Sequence, residues 1–327
     1  MNLNLTKILF INLMMMSSII SISSSNWLSM WMGLELNMFS IIPIINFKAS
    51  IYSIEATMKY FLIQAFASIL LLIFLIFKSM FFMIMNINLL ILMPLLIKLS
   101  LMPFHLWLPS MIEGLNWMSC LLLMTWQKIS PMVMVSYLMI NKNLIMIIIL
   151  ISMNSVMGMN QNSIRKILAF SSINNSSWML MAIIMNENLW INYFLIYSIL
   201  NFLIMNIFNK FNINYLNQIK FFNLNFFFKL NLLMLIFSIM GLPPMMGFLM
   251  KWMLIKTLIY NKMFMILALL INLAILNLFF YIKMSYFLLF NFNLFNKWFL
   301  QNKNKNKLNL IIFTNFFSMF FIYMFLY

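Results

Sequence analysis

The chain has 327 residues, 65% of them hydrophobic and 7% charged, with a mean hydropathy of +1.02 and a formal net charge of +16. About a quarter of the residues of a soluble domain are charged, so that class is excluded and the chain reads as an all-α polytopic membrane protein. The lysines are scattered or confined to polar connections rather than gathered on one basic surface, which excludes a nucleic-acid binder. Cys120 is the only cysteine and His105 the only histidine, so no internal disulfide and no Cys-based zinc or iron–sulfur site is expected, and no metal-binding cluster. Met, Ile, Phe, Asn and Leu dominate, the skew of an AT-rich organelle genome, and the 38 Met read as apolar filling.

A bilayer core takes about 20 apolar residues per helix. On that ruler about eleven runs follow one another, at approximately 6–23, 27–47, 55–77, 87–108, 116–139, 143–159, 164–185, 189–209, 231–259, 263–290 and 309–326. Unbroken apolarity predicts helices rather than barrel strands. They form one transmembrane domain, 1–327, with a core over about 27–260 and C-terminal helices over about 263–327. The first run lacks an A-x-A-like cleavage site and is predicted to be a retained helix.

Charged residues inside these runs are the main functional signal, because one charge at a helix centre costs roughly 2.5–3.5 kcal/mol on translocon scales. Glu35 lies in the second run, Lys98 in the fourth, Lys128 in the fifth and Lys251 in the ninth. Four such groups predict a charge or proton path; the plainer alternative for any pair is a static ion pair locking two helices. Lys98 and Lys128 suit reversible protonation, with Glu35 as the carboxylate partner of one of them. Glu55 and Lys59, spaced i,i+4, suit a helical ion pair.

Two runs carry built-in breaks. Pro94 and Pro103 flank Lys98 in the fourth, and Gly241, Pro243, Pro244 and Gly247 interrupt the ninth shortly before Lys251. Proline removes a backbone donor, and inside a membrane the freed groups are tolerated only where protein or a water cavity covers them. Breaks five runs apart hint at an inverted repeat of the transporter kind. His105 follows Lys98 by two turns, which would put both on one face about 10 Å apart if Pro103 did not intervene. It reads equally as a relay member and as an interfacial residue beside Trp107. Lys251 reads either as a path terminus or as a snorkelling side chain. Ser171, Ser172, Asn174, Asn175, Ser176 and Ser177 could hold ordered water or join helices by hydrogen bonds.

Counted alternately, the connections on the N-terminal side carry Lys7, Lys48, Arg165, Lys166, Lys210, Lys220, Lys229, Lys297, Lys303, Lys305 and Lys307. The other side carries Lys78, Lys142 and Lys262. Positive-inside logic puts the N-terminus in the matrix or cytoplasm and, with an odd helix count, the C-terminus opposite. No nucleotide, dinucleotide or zinc motif and no Ser/His/Asp set is present.

The strings WMGLELN, EATMKYFLIQAFAS, LLIKLSLMPFHLWLPSMIEGLNWMSCLLLMTWQK, NQNSIRKILAFSSIN and GLPPMMGFLMKW, in this order, resemble the chain 2 family of mitochondrial NADH-ubiquinone oxidoreductase in an AT-rich, insect-like form. The likeness extends over most of the chain and weakens after about Lys262. It implies an antiporter-like, non-redox subunit in the membrane arm of respiratory complex I, with eleven helices, set in the mitochondrial inner membrane among other membrane-arm subunits and lipids. It implies FMN, iron–sulfur clusters, NADH and ubiquinone for the complex, and no cofactor in this chain. Glu35, Lys98, Lys128 and Lys251 match the residues proposed for the family's proton path. One departure is local: the family commonly has a histidine where this chain has Asn175 and a glycine where it has Ser177. Asn takes up no proton at physiological pH, so bound water would have to substitute there. Competing readings are a stand-alone cation/proton antiporter and a structural membrane scaffold.

Overall fold

The structure is a computed structural model that describes residues 5–46, 50–80, 87–138, 157–185, 187–221, 226–243 and 245–289. It runs α1 (Leu5–Ser23), α2 (Trp27–Ile45), α3 (Ile51–Met80), α4 (Ile87–Lys98), α5 (Trp107–Ile112), α6 (Trp117–Met124), α7 (Trp126–Leu138), α8 (Ile164–Met185), α9 (Glu187–Phe211), α10 (Leu216–Phe221), α11 (Phe226–Met240), α12 (Met246–Tyr260) and α13 (Phe264–Leu289). Among the described residues the one strand-type pairing is an isolated antiparallel bridge between Ser163 and Tyr215. Among the described residues seven spans are long and apolar enough to cross a membrane, with α6 and α7 taken together as one. The expected run at 309–326 lies outside the described residues, as does all of 143–159 except its last residues, which form a turn at 157–160.

The helices are built inside out. On α3, Ser53, Thr57, Tyr60, Gln64, Ser68, Leu71 and Leu75 recur at helical spacing and are buried. Ile54, Met58, Leu62, Phe66, Ile69 and Ile73 occupy the exposed face, the one that fits lipid. Serine survives in these apolar helices because its hydroxyl donates to a carbonyl of its own preceding turn, as Ser17 does to Met14, Ser68 to Ala65 and Ser172 to Ala169. Small side chains also let helices approach. A Cβ on Gly33 of α2 would come within 2.8 Å of the Ser21 Cβ on α1, so the pair packs through a small-residue groove. At the centre stands α8, buried almost without interruption from Ile164 to Ile183.

Alternate connections gather at the same end of the bundle. At one end, a Cβ on Gly114 would collide with the Tyr52 carbonyl. There Arg165 Nη1 donates to the Glu113 carbonyl at 2.9 Å, and Leu216 N–H donates to Asn162 O at 3.1 Å. At the other end the Lys78 ammonium lies 4.9 Å from the Trp27 ring centre and Asn261 Nδ2 donates to Met185 Sδ at 3.2 Å. This is the grouping that alternate crossing of a membrane produces, and the first end is the lysine-rich one.

The broken helices share one termination. α4 ends at Lys98, where Leu101 N–H reaches Leu96 O and Ser100 N–H reaches Ile97 O, with Ser100 left-handed at φ 57°. α11 ends at Met240 with Leu242 N–H on Phe237 O, Gly241 N–H on Ser238 O, and Gly241 at φ 79°. Both are Schellman ends. The first break opens at Lys98, five residues ahead of Pro103, so the left-handed Ser100 ends the helix and Pro103 sits within the irregular stretch that follows. Pro243 lies in the second break, and Pro244 is outside the described residues. A third interruption, absent from the sequence expectation, separates α6 from α7 at Thr125, whose backbone leaves regular helix at φ −115°, ψ −75°. There Thr125 Oγ1 donates to the Leu121 carbonyl, a back-bond that bends helices, and Pro131 removes a donor six residues further on.

Candidate functional site

The sequence candidates form two centres. Glu35 of α2, Lys98 at the end of α4 and Lys128 in the first turn of α7 make the first. Lys98 and Lys128 are buried and line the same cavity of about 20 Å³, with Asn37, Tyr60, Gln64, Ser100, Gln127 and Ser130 among its walls. One water needs roughly 10–15 Å³. Lys98 lies at the C-terminus of α4, where the helix dipole favours a cation. Among the described residues its ammonium makes no direct hydrogen bond, so cavity contents and charge are its remaining partners. Glu35 is half-buried and close enough to act electrostatically on Lys98 and on Tyr60, while none of the ion pairs among the described residues includes it. The carboxylate therefore acts on Lys98 through space rather than through a direct ion pair.

Lys128 has a direct partner. Its Nζ donates to the Ser172 carbonyl of α8 at 2.7 Å and lies 5.9 Å from the Tyr197 ring centre. Neutral side chains frame the cavity as a chain: Tyr60 OH donates to Gln127 Oε1 at 3.3 Å, Gln127 Nε2 to Asn37 Oδ1 at 3.0 Å, and Asn37 Nδ2 reaches Ser130 Oγ at 3.5 Å. These amides and Tyr60 are functional candidates that charge alone does not single out. The available signal was position: Asn37 two residues from Glu35, Gln127 adjacent to Lys128, and Tyr60 with Gln64 at i,i+4 on the inward face of α3.

Lys251 of α12 makes the second centre. Its Nζ donates to the Met240 carbonyl at 2.7 Å, across the break and at the C-terminus of α11. Gly241 leaves the space: a Cβ there would stand 2.9 Å from Lys251 Nζ and 3.2 Å from its Cδ. Gly247 brings the two half-helices together, since a Cβ on it would overlap the Ser238 carbonyl. Lys251 is buried and turned inward, so the snorkelling alternative fails.

His105 stands apart. The chain between Lys98 and α5 is irregular, so the two side chains share no helix face, and His105 does not line the cavity. Its Nε2 lies 3.2 Å from Met157 Sδ. In α8, Ser171, Ser172, Ser176 and Ser177 donate to their own helix, and Asn175 accepts from Tyr193 OH of α9 at 3.0 Å. At the lysine-rich end, Arg165 also donates to Asn214 Oδ1 at 2.6 Å and Lys166 pairs with Glu113 at 2.8 Å, beside the Glu55–Lys59 pair on α3. No grouping of three or more metal-type ligands occurs among the described residues. Cys120 is buried with its thiol directed at the Ile112 carbonyl, and one thiol does not supply the ligand set of an iron–sulfur cluster.

The family model for the transmembrane part of NADH:quinone oxidoreductases and Mrp antiporters matches residues 24–277. The NADH-ubiquinone oxidoreductase chain 2 of Anopheles gambiae is 44% identical over 93% of this chain and 92% of its own length. That of Locusta migratoria is 38% identical over 93% and 91%. Among solved structures, a chain of the respiratory complex I from Thermus thermophilus with bound aureothin superposes with a TM-score of 0.78 at 20% identity, covering 87% of this chain and 71% of that one. A chain of the Mrp complex from Dietzia superposes at 0.71 and 14% identity, covering 84% and 59%. At these identities the structural likeness speaks for the fold alone.

Proposed function

The chain belongs to the chain 2 family of NADH-ubiquinone oxidoreductases, and from that premise we propose that it is a non-redox membrane-arm subunit which carries protons across the mitochondrial inner membrane as the complex passes electrons from NADH to ubiquinone. Lys98 and Lys128 are the proton carriers in this reading, Glu35 biases Lys98, and Lys251 ends the path in the second half; His105 is a weaker member. One observation carries the reading: two buried lysines face the same polar cavity, with a carboxylate in electrostatic reach of one of them. The cavity has room for water, through which a proton would pass between them with the framing amides as dipoles. The flavin and iron–sulfur clusters belong to other chains of the complex. The chain acts as one transmembrane domain with its core over about 27–260.

The test is Lys98→Met in the assembled complex. Met keeps a similar length and removes the titrating group, so native gels should show normal assembly while protons pumped per NADH and turnover fall. Lys98→Arg should also impair pumping, because guanidinium stays charged throughout. A fully assembled Lys98→Met complex with unchanged stoichiometry and turnover refutes the carrier role and leaves a static charge. The orientation follows from the lysine excess: the N-terminus and the lysine-rich end face the matrix and the C-terminus faces the intermembrane space. Cleavage of the 212–225 connection by protease added to intact mitoplasts would reverse it. A stand-alone antiporter of the same fold would move cations in liposomes by itself; this chain should be inactive alone.

A further inference from the structure

The hydrogen bonds that frame the first cavity all point the same way. Tyr60 OH of α3 donates to Gln127 Oε1 at 3.3 Å, Gln127 Nε2 of α7 to Asn37 Oδ1 at 3.0 Å, and Asn37 Nδ2 of α2 to Ser130 Oγ at 3.5 Å. Both ends of the chain are hydroxyls, which can donate or accept, and both middle members are amides whose oxygen and nitrogen are alike in size. With both amides turned over, the chain runs backwards on the same heavy-atom positions. Ser130 then donates to Asn37, Asn37 to Gln127 and Gln127 to Tyr60, again three bonds. Turning one amide alone sets two oxygens or two N–H groups face to face, a costly arrangement where Asn37, Tyr60 and Ser130 are buried. The chain therefore reverses as a unit. All four side chains line the cavity shared by Lys98 and Lys128, which leaves the amides room to turn.

Direction matters because the two ends carry opposite polarity. Tyr60 is the end that falls, like Lys98, within the field of Glu35, and α4, which carries Lys98, packs mainly on Tyr60's helix, α3. In the direction observed, every donated hydrogen points from Tyr60 toward Ser130, so lone pairs remain at Tyr60 and a charged Lys98 is favoured. Reversed, the hydrogens point toward Tyr60 and a neutral Lys98 is favoured. Such coupling is reciprocal: the charge on Lys98 biases the direction as strongly as the direction biases the charge. We infer that Tyr60, Gln127, Asn37 and Ser130 are positioning residues, a two-state chain of dipoles that reverses with the charge of Lys98 and so stabilises this lysine both with and without its proton. No proton travels along the chain, since an amide turns over without changing its protonation. The inference rests on the carrier role proposed for Lys98 above. The titratable groups around Lys98 are Glu35 of α2, Tyr60 of α3 and Lys128 of α7, while His105 stands outside the cavity.

Removing one terminal hydroxyl at a time locks the chain, because a buried N–H without an acceptor is less tolerable than a carbonyl without a donor. In Tyr60→Phe the observed direction leaves only the Gln127 carbonyl bare, whereas the reverse leaves a Gln127 N–H bare; in Ser130→Ala the same choice at Asn37 selects the reverse. The test is NADH-driven turnover and pumping across pH, in complexes that assemble on native gels. The alkaline limb, where Lys98 loses its proton, should move up in Tyr60→Phe and down in Ser130→Ala, each by roughly half a pH unit, about a threefold change in proton affinity. Ser130→Thr, which keeps the hydroxyl, should restore the wild-type profile. Gln127→Met, which cuts the chain in the middle, should cancel the Ser130→Ala displacement. Limbs that move the same way, or lower rates with no displacement, overturn the two-state chain and leave a static frame. If Lys98→Met loses pumping while the end variants show no opposed displacement, the chain alone falls; unchanged pumping in Lys98→Met removes the carrier role and the chain with it.

Discussion

The two broken helices end in the same backbone motif but at different residues, and they treat their lysines differently. At the first, Ser100 takes the left-handed position and Lys98, on the helix side of the break, has a cavity and a distant carboxylate instead of a direct acceptor. At the second, Gly241 takes that position and Lys251, beyond the break, reaches back to the terminal carbonyl of α11. One break leaves its cation in a polar space; the other clasps it. A clasped ammonium is harder to deprotonate without breaking a bond; Lys128 is held by the Ser172 carbonyl as Lys251 is by Met240, so Lys98 is the better place for a proton to come and go.

The comparison is most easily broken at the second centre. Gly247→Ala would drive a Cβ into the Ser238 carbonyl, a backbone group that cannot swing aside. The expected cost exceeds the about 1–3 kcal/mol of ordinary overpacking, and the level of assembled complex on native gels should drop by about an order of magnitude; normal assembly would mean that the half-helices are not in contact. Glu35→Gln aims at the first centre alone. Assembly should persist while turnover and pumping fall severalfold, and Glu35→Gln activity equal to wild type would remove the carboxylate from the site.

Lys251→Met against Lys98→Met sharpens the contrast through stability. The first strips the Met240 carbonyl of its donor inside the bundle, worth about 1–3 kcal/mol, while the second removes no direct hydrogen bond. Thermal unfolding of the assembled complex should therefore be lowered more by Lys251→Met, and the reverse order would contradict the clasp. At the left-handed positions, Gly241→Ala should destabilise and Ser100→Gly should be neutral or stabilising by up to about 1 kcal/mol. The smallest effect is expected at the exposed Glu55–Lys59 pair, where Lys59→Ala should cost no more than about 0.5 kcal/mol.

Much of this architecture is legible in the chain because lipid and protein ask for different residues. Runs of apolar residues mark α1, α2, α8, α9 and α13 to within a few residues, and the run at 164–185 coincides with α8. Glycine and proline announce the break before Lys251. The end of α4 is harder to read, since a left-handed serine gives no composition signal and Pro103 points downstream of the true terminus. Thr125 is likewise indistinguishable from any hydroxyl residue until its back-bond to Leu121 is seen. Buried charges stand out against an apolar background; the framing amides Asn37 and Gln127 and the tyrosines Tyr193 and Tyr197 do not, because Asn is abundant throughout and Tyr hides among the Phe residues.

The groove between α1 and α2 has a bearing on charge that no electrostatic contact expresses. Gly33 presses on Ser21 with no room for a methyl group, and Glu35 is two residues further along the same helix. How deep the carboxylate sits, and how far it stands from Lys98, is then set by how α2 seats in its neighbour. A bulky replacement of Ser21, such as Ser21→Val, would lift the helix and carry the charge with it. The field at Lys98 is in this sense tuned by a steric ruler on another face of the helix, built from residues that carry no charge at all.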